Sequence, residues 1–516
     1  MKLMYTLLSM LVCVCTAAQS FELSSLFSDG MVVQRDVDLP VWGWAEAGAK
    51  VTVAPSWAQK TSARADAEGC WRVVLPSPES IGPHTMRVSA VEPSQGRSEK
   101  VITDIVAGEV WICGGQSNME MPVRGWGEQY IEGSGEALLE APEYSDRIRV
   151  FHILADTTSV PQKNVEAQWK HTDMATAGST SALAYFFARL LTSMLDVPVG
   201  IIVNPWGGSR IQTWMPYADV EAAIRDHVTS ERLTFILDRK QERDWCPDVT
   251  AACYNSRFHP IAGYPAKGFL WYQGETDRAD YDIYDELLTA FAARLRVDWG
   301  DDDASMPFMF VTMAPWEDRN CPVQTMRPRL VEAQLSCLRS IPNSYAAVTE
   351  TYGSAQMIHP SNKRGIAEQL AFLAYEKAYG METGVSVGFP YPYRIEFPAE
   401  TYQTKAAIRL AAGYPTDITV SEGHRGSVYV AMKNCNSGLG DHNSPEIKGF
   451  EVAGEDRVFH PAEAIVFNGH WLKVWSDDVP EPVAMRYAFR NYSDANLKSA
   501  FGIPVPSFRS DDWNED

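Results

Sequence analysis

Gly108-Glu109-Val110-Trp111-Ile112-Cys113-Gly114-Gly115-Gln116-Ser117-Asn118-Met119 is the stretch on which the fold turns. Glu109 to Cys113 reads as a short apolar strand ending in two glycines, after which polar residues open a new element. A serine at such a tight strand-to-helix turn has its hydroxyl exposed, and the following backbone N–H groups point at any oxyanion formed there. This is not the G-x-S-x-G elbow, because Met119 stands where the second glycine would be. A glycine turn with Ser117 merely capping a helix is the other reading of the same residues.

Downstream, strands alternate with helices. Ser181 to Leu195 carries apolar residues at helical spacing and leads through Pro198 into an expected strand over Val199 to Val203. Gly268 to Tyr272 and Pro307 to Met313 read as further strands, with a helix from Tyr284 to Val297 between them. Asn362 to Tyr379 is predicted as an amphipathic helix stopped by Gly380. Such alternation over residues 106–382 argues for a parallel sheet covered on both faces. Residues 19–105 differ: runs such as Lys50-Val51-Thr52-Val53, separated by turn signals like Asp29-Gly30, suggest a small β-sandwich. β character returns over 383–516, as in Ala406 to Leu410 and Ser427 to Met432. Residues 216–248, rich in helix formers and charge, look like an insertion near the active face.

A chain of 516 residues is too long for one core and suggests roughly three units. Lys and Arg number 45 against 66 Asp and Glu, a net charge of −21. So acidic a surface repels a phosphate backbone and disfavours a nucleic-acid partner. Residues 1–18 read as a cleavable export signal: Lys2, then an apolar run from Leu3 to Val14, then small residues at Thr16-Ala17-Ala18. That run is too short to span a bilayer, and no other stretch qualifies. Val12 and Val14 precede Cys13 and Cys15 where lipidation wants a small residue, which speaks against a lipid anchor. A secreted or periplasmic location follows. Beyond the signal stand Cys70, Cys113, Cys246, Cys253, Cys321, Cys337 and Cys435; the odd count leaves at least one free thiol. Cys246 and Cys253 are near enough in sequence for a local bridge. The spacings match no zinc motif with paired ligands, so a structural metal is not expected, and no cofactor is assigned.

Three further blocks sit at the ends of expected elements, where ligand sites of open α/β sheets lie. Trp206-Gly207-Gly208-Ser209 follows the second strand, and its glycines allow close backbone approach and an N–H donor. Trp271-Tyr272-Gln273-Gly274-Glu275 places an amide, Gln273, and a carboxylate, Glu275, at the same sheet edge. His359-Pro360 precedes the last helix, where a histidine can reach back to Ser117 as a general base. Taken singly, the glycine pair suits a plain turn, the carboxylate a solvated surface, and the histidine a surface or core position.

Together, the four blocks resemble the sialate O-acetylesterases of the SGNH (GDSL-like) hydrolase superfamily. The matching residues are Gly108 to Trp111 with Gly115 to Met119, Trp206 to Ser209 with Trp214, Trp271 to Glu275, and Ile358 to Pro360 with Lys363. Leu26 to Arg35, Lys448 to Gly454 and Phe508 to Trp513 extend the likeness to both β regions. The resemblance implies a flavodoxin-like catalytic sheet flanked by two β-sandwich-like regions, no metal, and ester hydrolysis through an acyl-enzyme. It implies Ser117 as nucleophile and His359 as base, with Ser117 N–H, a glycine N–H from Gly207 or Gly208 and the Gln273 amide as oxyanion hole. Many members of the superfamily place an aspartate two or three residues before the histidine, where this chain has Met357 and Gln356. Glu275 is the first choice for the orienting acid, Glu350 the alternative, and a Ser–His dyad the third option. An O-acetylated sialic acid or related glycan is the implied substrate. Acetylated xylan would need the same chemistry, and the sixteen tryptophans also suit a protein that only binds glycans.

Overall fold

A single strand, β1 (Gly96–Gly115), links two layers of the molecule in the computed structural model. The structure describes residues 20–513 except 155, 244, 320, 398–418, 423–425, 436–437 and 442–443. The expected export signal and the strand expected over 406–410 lie outside those residues. The first half of β1 pairs antiparallel with His84–Glu92, which continues through Lys50–Pro55 to Thr61–Arg64. Facing it, Glu22–Leu23, Leu39–Trp44 and Cys70–Leu75 form a second, three-stranded sheet. From Ile105 onward every residue of β1 is buried, and here the strand enters the central sheet.

That sheet also contains β2 (Ile148–His152), β3 (Trp169–His171), β4 (Val199–Pro205), β5 (Gly268–Tyr272), β6 (Phe308–Val311) and β7 (Ser344–Ala347). Their spatial order is β3-β2-β4-β1-β5-β6-β7, all parallel except β3 at the edge. Alternate residues along each strand face opposite cores, as strand geometry requires. Trp111, Cys113, Leu270 and Tyr272 pack under the helices Ala182–Leu195 and Lys363–Leu373. Val110, Ile112, Phe269 and Trp271 pack under Tyr284–Trp299 and Met326–Ser340. Helices on both faces make the sheet inaccessible except at its strand ends.

The helix starts follow local chemistry. Ser181 caps Ala182–Leu195 by accepting the Ala184 N–H at 3.2 Å, and Asn362 caps Lys363–Leu373 by accepting that of Gly365 at 2.8 Å. The last helix is shorter than predicted, because the chain loosens into a wider turn over Ala374–Ala378 before Gly380. The segment expected to be an insertion contains two short helices, Tyr217–Ile224 and Ser230–Leu237. Cys246 and Cys253 are both free, buried thiols, so the local bridge expected between them is not formed.

The described residues of the C-terminal region form an eight-stranded, mostly antiparallel sheet and a two-stranded one, Leu439–Gly440 with Lys498–Ser499, and the region packs against the α/β layer. Arg509 forms a two-pronged pair with Glu332 at 2.9 and 2.9 Å, and the Asn491 side chain accepts the Arg327 N–H at 2.9 Å. No helix among the described residues is long and apolar enough to cross a membrane.

Candidate active site

Ser117 stands where β1 gives way to the short helix Ser117–Glu120. Gly115 makes the turn possible. Its φ is +138°, and a Cβ there would lie 2.2 Å from the Tyr272 carbonyl oxygen on the neighbouring strand. Gln116 then locks two blocks together: its N–H donates to Tyr272 O at 3.0 Å, and its Oε1 accepts from Gly274 N at 3.3 Å. Because Ser117 opens a helix, its N–H has no acceptor one turn earlier. His359 arrives from the loop before Lys363–Leu373. Its Nε2 lies 2.9 Å from Ser117 Oγ, across 242 residues of sequence.

The other imidazole nitrogen meets an amide instead of a carboxylate. His359 Nδ1 is 2.6 Å from Gln129 Oε1, and the Trp126 ring packs edge-on against the imidazole at 5.4 Å. An amide oxygen can only accept, so Nδ1 carries the hydrogen and the Nε2 lone pair faces the serine hydroxyl. No sequence motif singled out Gln129, which sits in a tight turn closed by hydrogen bonds between Trp126 and Gln129.

Both proposed acids are placed elsewhere. Glu275 is buried, and its Oε1 accepts from Asn118 Nδ2, not from His359. Asn118 passes the contact on: its Oδ1 accepts from the buried Lys363 ammonium, and its Nδ2 also donates to Ile358 O at 3.2 Å. Glu350 is held by both guanidinium nitrogens of Arg327, with NH2 to Oε2 at 2.6 Å. Gln129 already occupies Nδ1, so neither carboxylate orients the imidazole.

The expected oxyanion donors also divide. The Gln273 amide is fully used: Nε2 donates to Ser209 O at 3.0 Å and to Asp277, and Oε1 accepts from Tyr284 OH at 2.7 Å. It supports the glycine loop from beneath. Gly207 N–H donates to the Glu120 carboxylate at 2.6 Å. Gly208, at φ +72°, lies against the Trp245 ring, whose atoms would be 2.5 and 2.7 Å from a Cβ there. Among the described residues the N–H groups of Ser117 and Gly208 meet no acceptor, whereas the Gln273 amide and the Gly207 N–H are engaged.

Burial dominates the electrostatics. It lowers the His359 pKa to about 4, with the Lys363 charge acting in the same direction. Lys363 itself is brought down to about 7 by burial, against the pull of Glu275. Burial raises Glu275 and Glu120 above the ordinary carboxylate range, and brings Asp277 up to about 6.

Ser117 and His359 open into a cleft of ≈ 420 Å³ walled by Trp126, Trp206, Trp245, Arg243 and Arg278. Two of these walls, Arg243 and Trp245, come from residues 216–248. On the far side of His359, a hollow of ≈ 370 Å³ is lined by Gln129, Tyr352 and, from the C-terminal region, Lys498.

The chain is similar to known carbohydrate esterases in sequence and in fold. The sequence profile of the carbohydrate esterase, sialic acid-specific acetylesterase family matches residues 107–359, from the buried half of β1 to His359. Mouse sialate O-acetylesterase is 26% identical over 436 residues, covering 74% of this chain and 78% of that protein. For the human sialate O-acetylesterase the identity is 26% over 452 residues, with 80% and 82% covered. The crystal structure of a carbohydrate acetylesterase from Xanthomonas citri superimposes with a TM-score of 0.77 at 30% identity, covering 95% of this chain and 100% of that one. This chain therefore belongs to the sialic acid-specific acetylesterase family of carbohydrate esterases and is a carboxylic ester hydrolase.

Proposed function

We propose that the chain removes O-acetyl groups from glycan sugars through an acetyl-serine intermediate. The observation that carries this reading is the 2.9 Å approach of His359 Nε2 to Ser117 Oγ, with the opposite ring nitrogen tied to Gln129. His359 takes the Ser117 proton as Oγ attacks the acetyl carbon. The N–H groups of Ser117 and Gly208 receive the oxyanion. Collapse breaks the ester bond, and the imidazolium gives its proton to the departing sugar oxygen, which leaves as a hydroxyl. Water, deprotonated by His359, then attacks the acetyl-serine, acetate leaves and Ser117 is restored. Gln129 takes the orienting place expected of an acid, giving a Ser–His dyad with an amide partner.

The sheet order supports a flavodoxin-like, SGNH-type catalytic core. Without β2, the parallel strands β4-β1-β5-β6-β7 run 2-1-3-4-5, and Ser117 lies at the switch point between β1 and β5. We assign residues 19–105, 106–382 and 383–516 to three units, the first border falling inside the continuous strand β1. The N-terminal segment is assigned to export.

Sialic acid is the first sugar to test, because the family and its mammalian relatives carry that name. One observation favours a neutral acetylated polysaccharide as the second reading. Both arginines in the cleft are already paired, Arg243 with Asp248 and Arg278 with Asp318 at 2.6 Å, so neither offers an uncompensated charge to a sugar carboxylate. Acetate release from O-acetylated sialic acid and from acetylated xylan, with Ser117→Ala as control, tests the proposal. Ser117→Ala is expected to lose about a thousandfold or more in kcat; wild-type rates in that variant would end the serine mechanism.

A further inference from the structure

Trp245 is 65% exposed, and among the described residues it is the one tryptophan left this open. An indole in water forgoes burial that its large apolar surface would otherwise gain, at about 25 cal/mol per Å². Its setting is built, however. The ring lies against the backbone of Gly208, where any Cβ would collide with it, and the Arg243 guanidinium sits 5.2 Å from its centroid. Arg243 is fixed in turn by Asp248 and by a 3.2 Å bond to Gly208 O. The Trp245 carbonyl accepts from the Trp206 indole at 3.1 Å, so the inserted loop and the glycine loop hold each other. The ring forms one wall of the cleft that contains Ser117 and His359.

From this we infer that Trp245 is a stacking platform for the C–H face of the sugar ring that carries the acetyl ester, and so a specificity residue of the insertion. The inference rests on the esterase reading above. A pyranose presents an apolar face that a flat, rigid aromatic ring can cover at little cost in conformational entropy. A neutral wall with no unpaired cation suits such a face whether or not the sugar bears a carboxylate. No part of the ring is needed to hydrolyse an ester that has no sugar.

The test compares Trp245→Ala and Trp245→Phe with the wild type on acetylated xylo-oligosaccharide, O-acetylated sialic acid and 4-nitrophenyl acetate. For whichever sugar ester the wild type cleaves, Trp245→Ala is expected to raise KM about tenfold. The loss in kcat/KM on that sugar is expected to exceed the loss on 4-nitrophenyl acetate by the same factor, with Trp245→Phe recovering most of it. A sugar-to-aryl ratio that moves less than twofold overturns the platform. Calorimetric titration of Ser117→Ala with the same sugar esters, with and without Trp245→Ala, judges stacking apart from turnover. Equal affinities refute stacking, whereas a Ser117→Ala protein that still hydrolyses 4-nitrophenyl acetate refutes only the serine mechanism.

Discussion

His359 shows how much a single neighbour decides. Its imidazole is held neutral by burial and by Lys363, so the base we propose keeps its free lone pair down to about pH 4. We expect kcat/KM to be flat through neutrality and to fall as pH drops through about 4. Gln129→Glu places a carboxylate against Nδ1, favours the imidazolium, and is expected to move that acid limb upward. A pH–rate profile unchanged by Gln129→Glu would remove Gln129 from its proposed place beside the imidazole. The same shift has a stability consequence. Between its ordinary 6.5 and about 4, the unfolded chain binds a proton here that the folded chain does not. Stability contributed by this residue therefore falls as pH drops across that window, which urea unfolding at pH 7 and pH 5 measures.

Among the elements, Asn118 is the joint between the helix that Ser117 opens and the loop that carries His359. It contacts Glu275, Lys363 and Ile358 O, the residue before His359. Asn118→Ala leaves a buried carboxylate and a buried ammonium without their shared partner, at a cost of about 1–3 kcal/mol. It also frees the His359 loop, and misplacement on the order of 1 Å costs about a hundredfold in rate. Both losses are expected together, in urea unfolding and in kcat; a variant with full kcat would show that the joint does not position the base. Helix starts were legible because their caps are local: Ser181 and Asn362 lie beside the N–H groups that they accept. The helix Met326–Ser340 escaped notice because Pro328, Arg327 and Arg329 break its apolar pattern. Pro328 is tolerated in the first turn, where an N–H has no partner to lose, and Arg327 is buried only because Glu350 meets it.

For the whole molecule, the C-terminal sheet acts as a buttress to the α/β layer, through Arg509 and Glu332. Burial raises the Glu332 pKa in spite of the Arg509 charge, so the pair is desolvated. Glu332→Ala strands the guanidinium and is expected to cost about 3 kcal/mol, read from urea unfolding; a loss under 1 kcal/mol would show that the two layers are not coupled there. The division between sequence and structure has a physical basis. Period and turn chemistry are properties of neighbouring residues, and they alone determined the alternating strands and helices, the Gly115 turn and the place of Ser117 at a strand end. Pairings across hundreds of residues follow from how layers pack. Only the tertiary structure decided that Gln129 rather than Glu275 or Glu350 faces His359, and that Gln273 and Gly207 are already engaged. It also decided that Trp245 reaches the cleft, because which polar group meets which is settled only when burial forces each to find a partner.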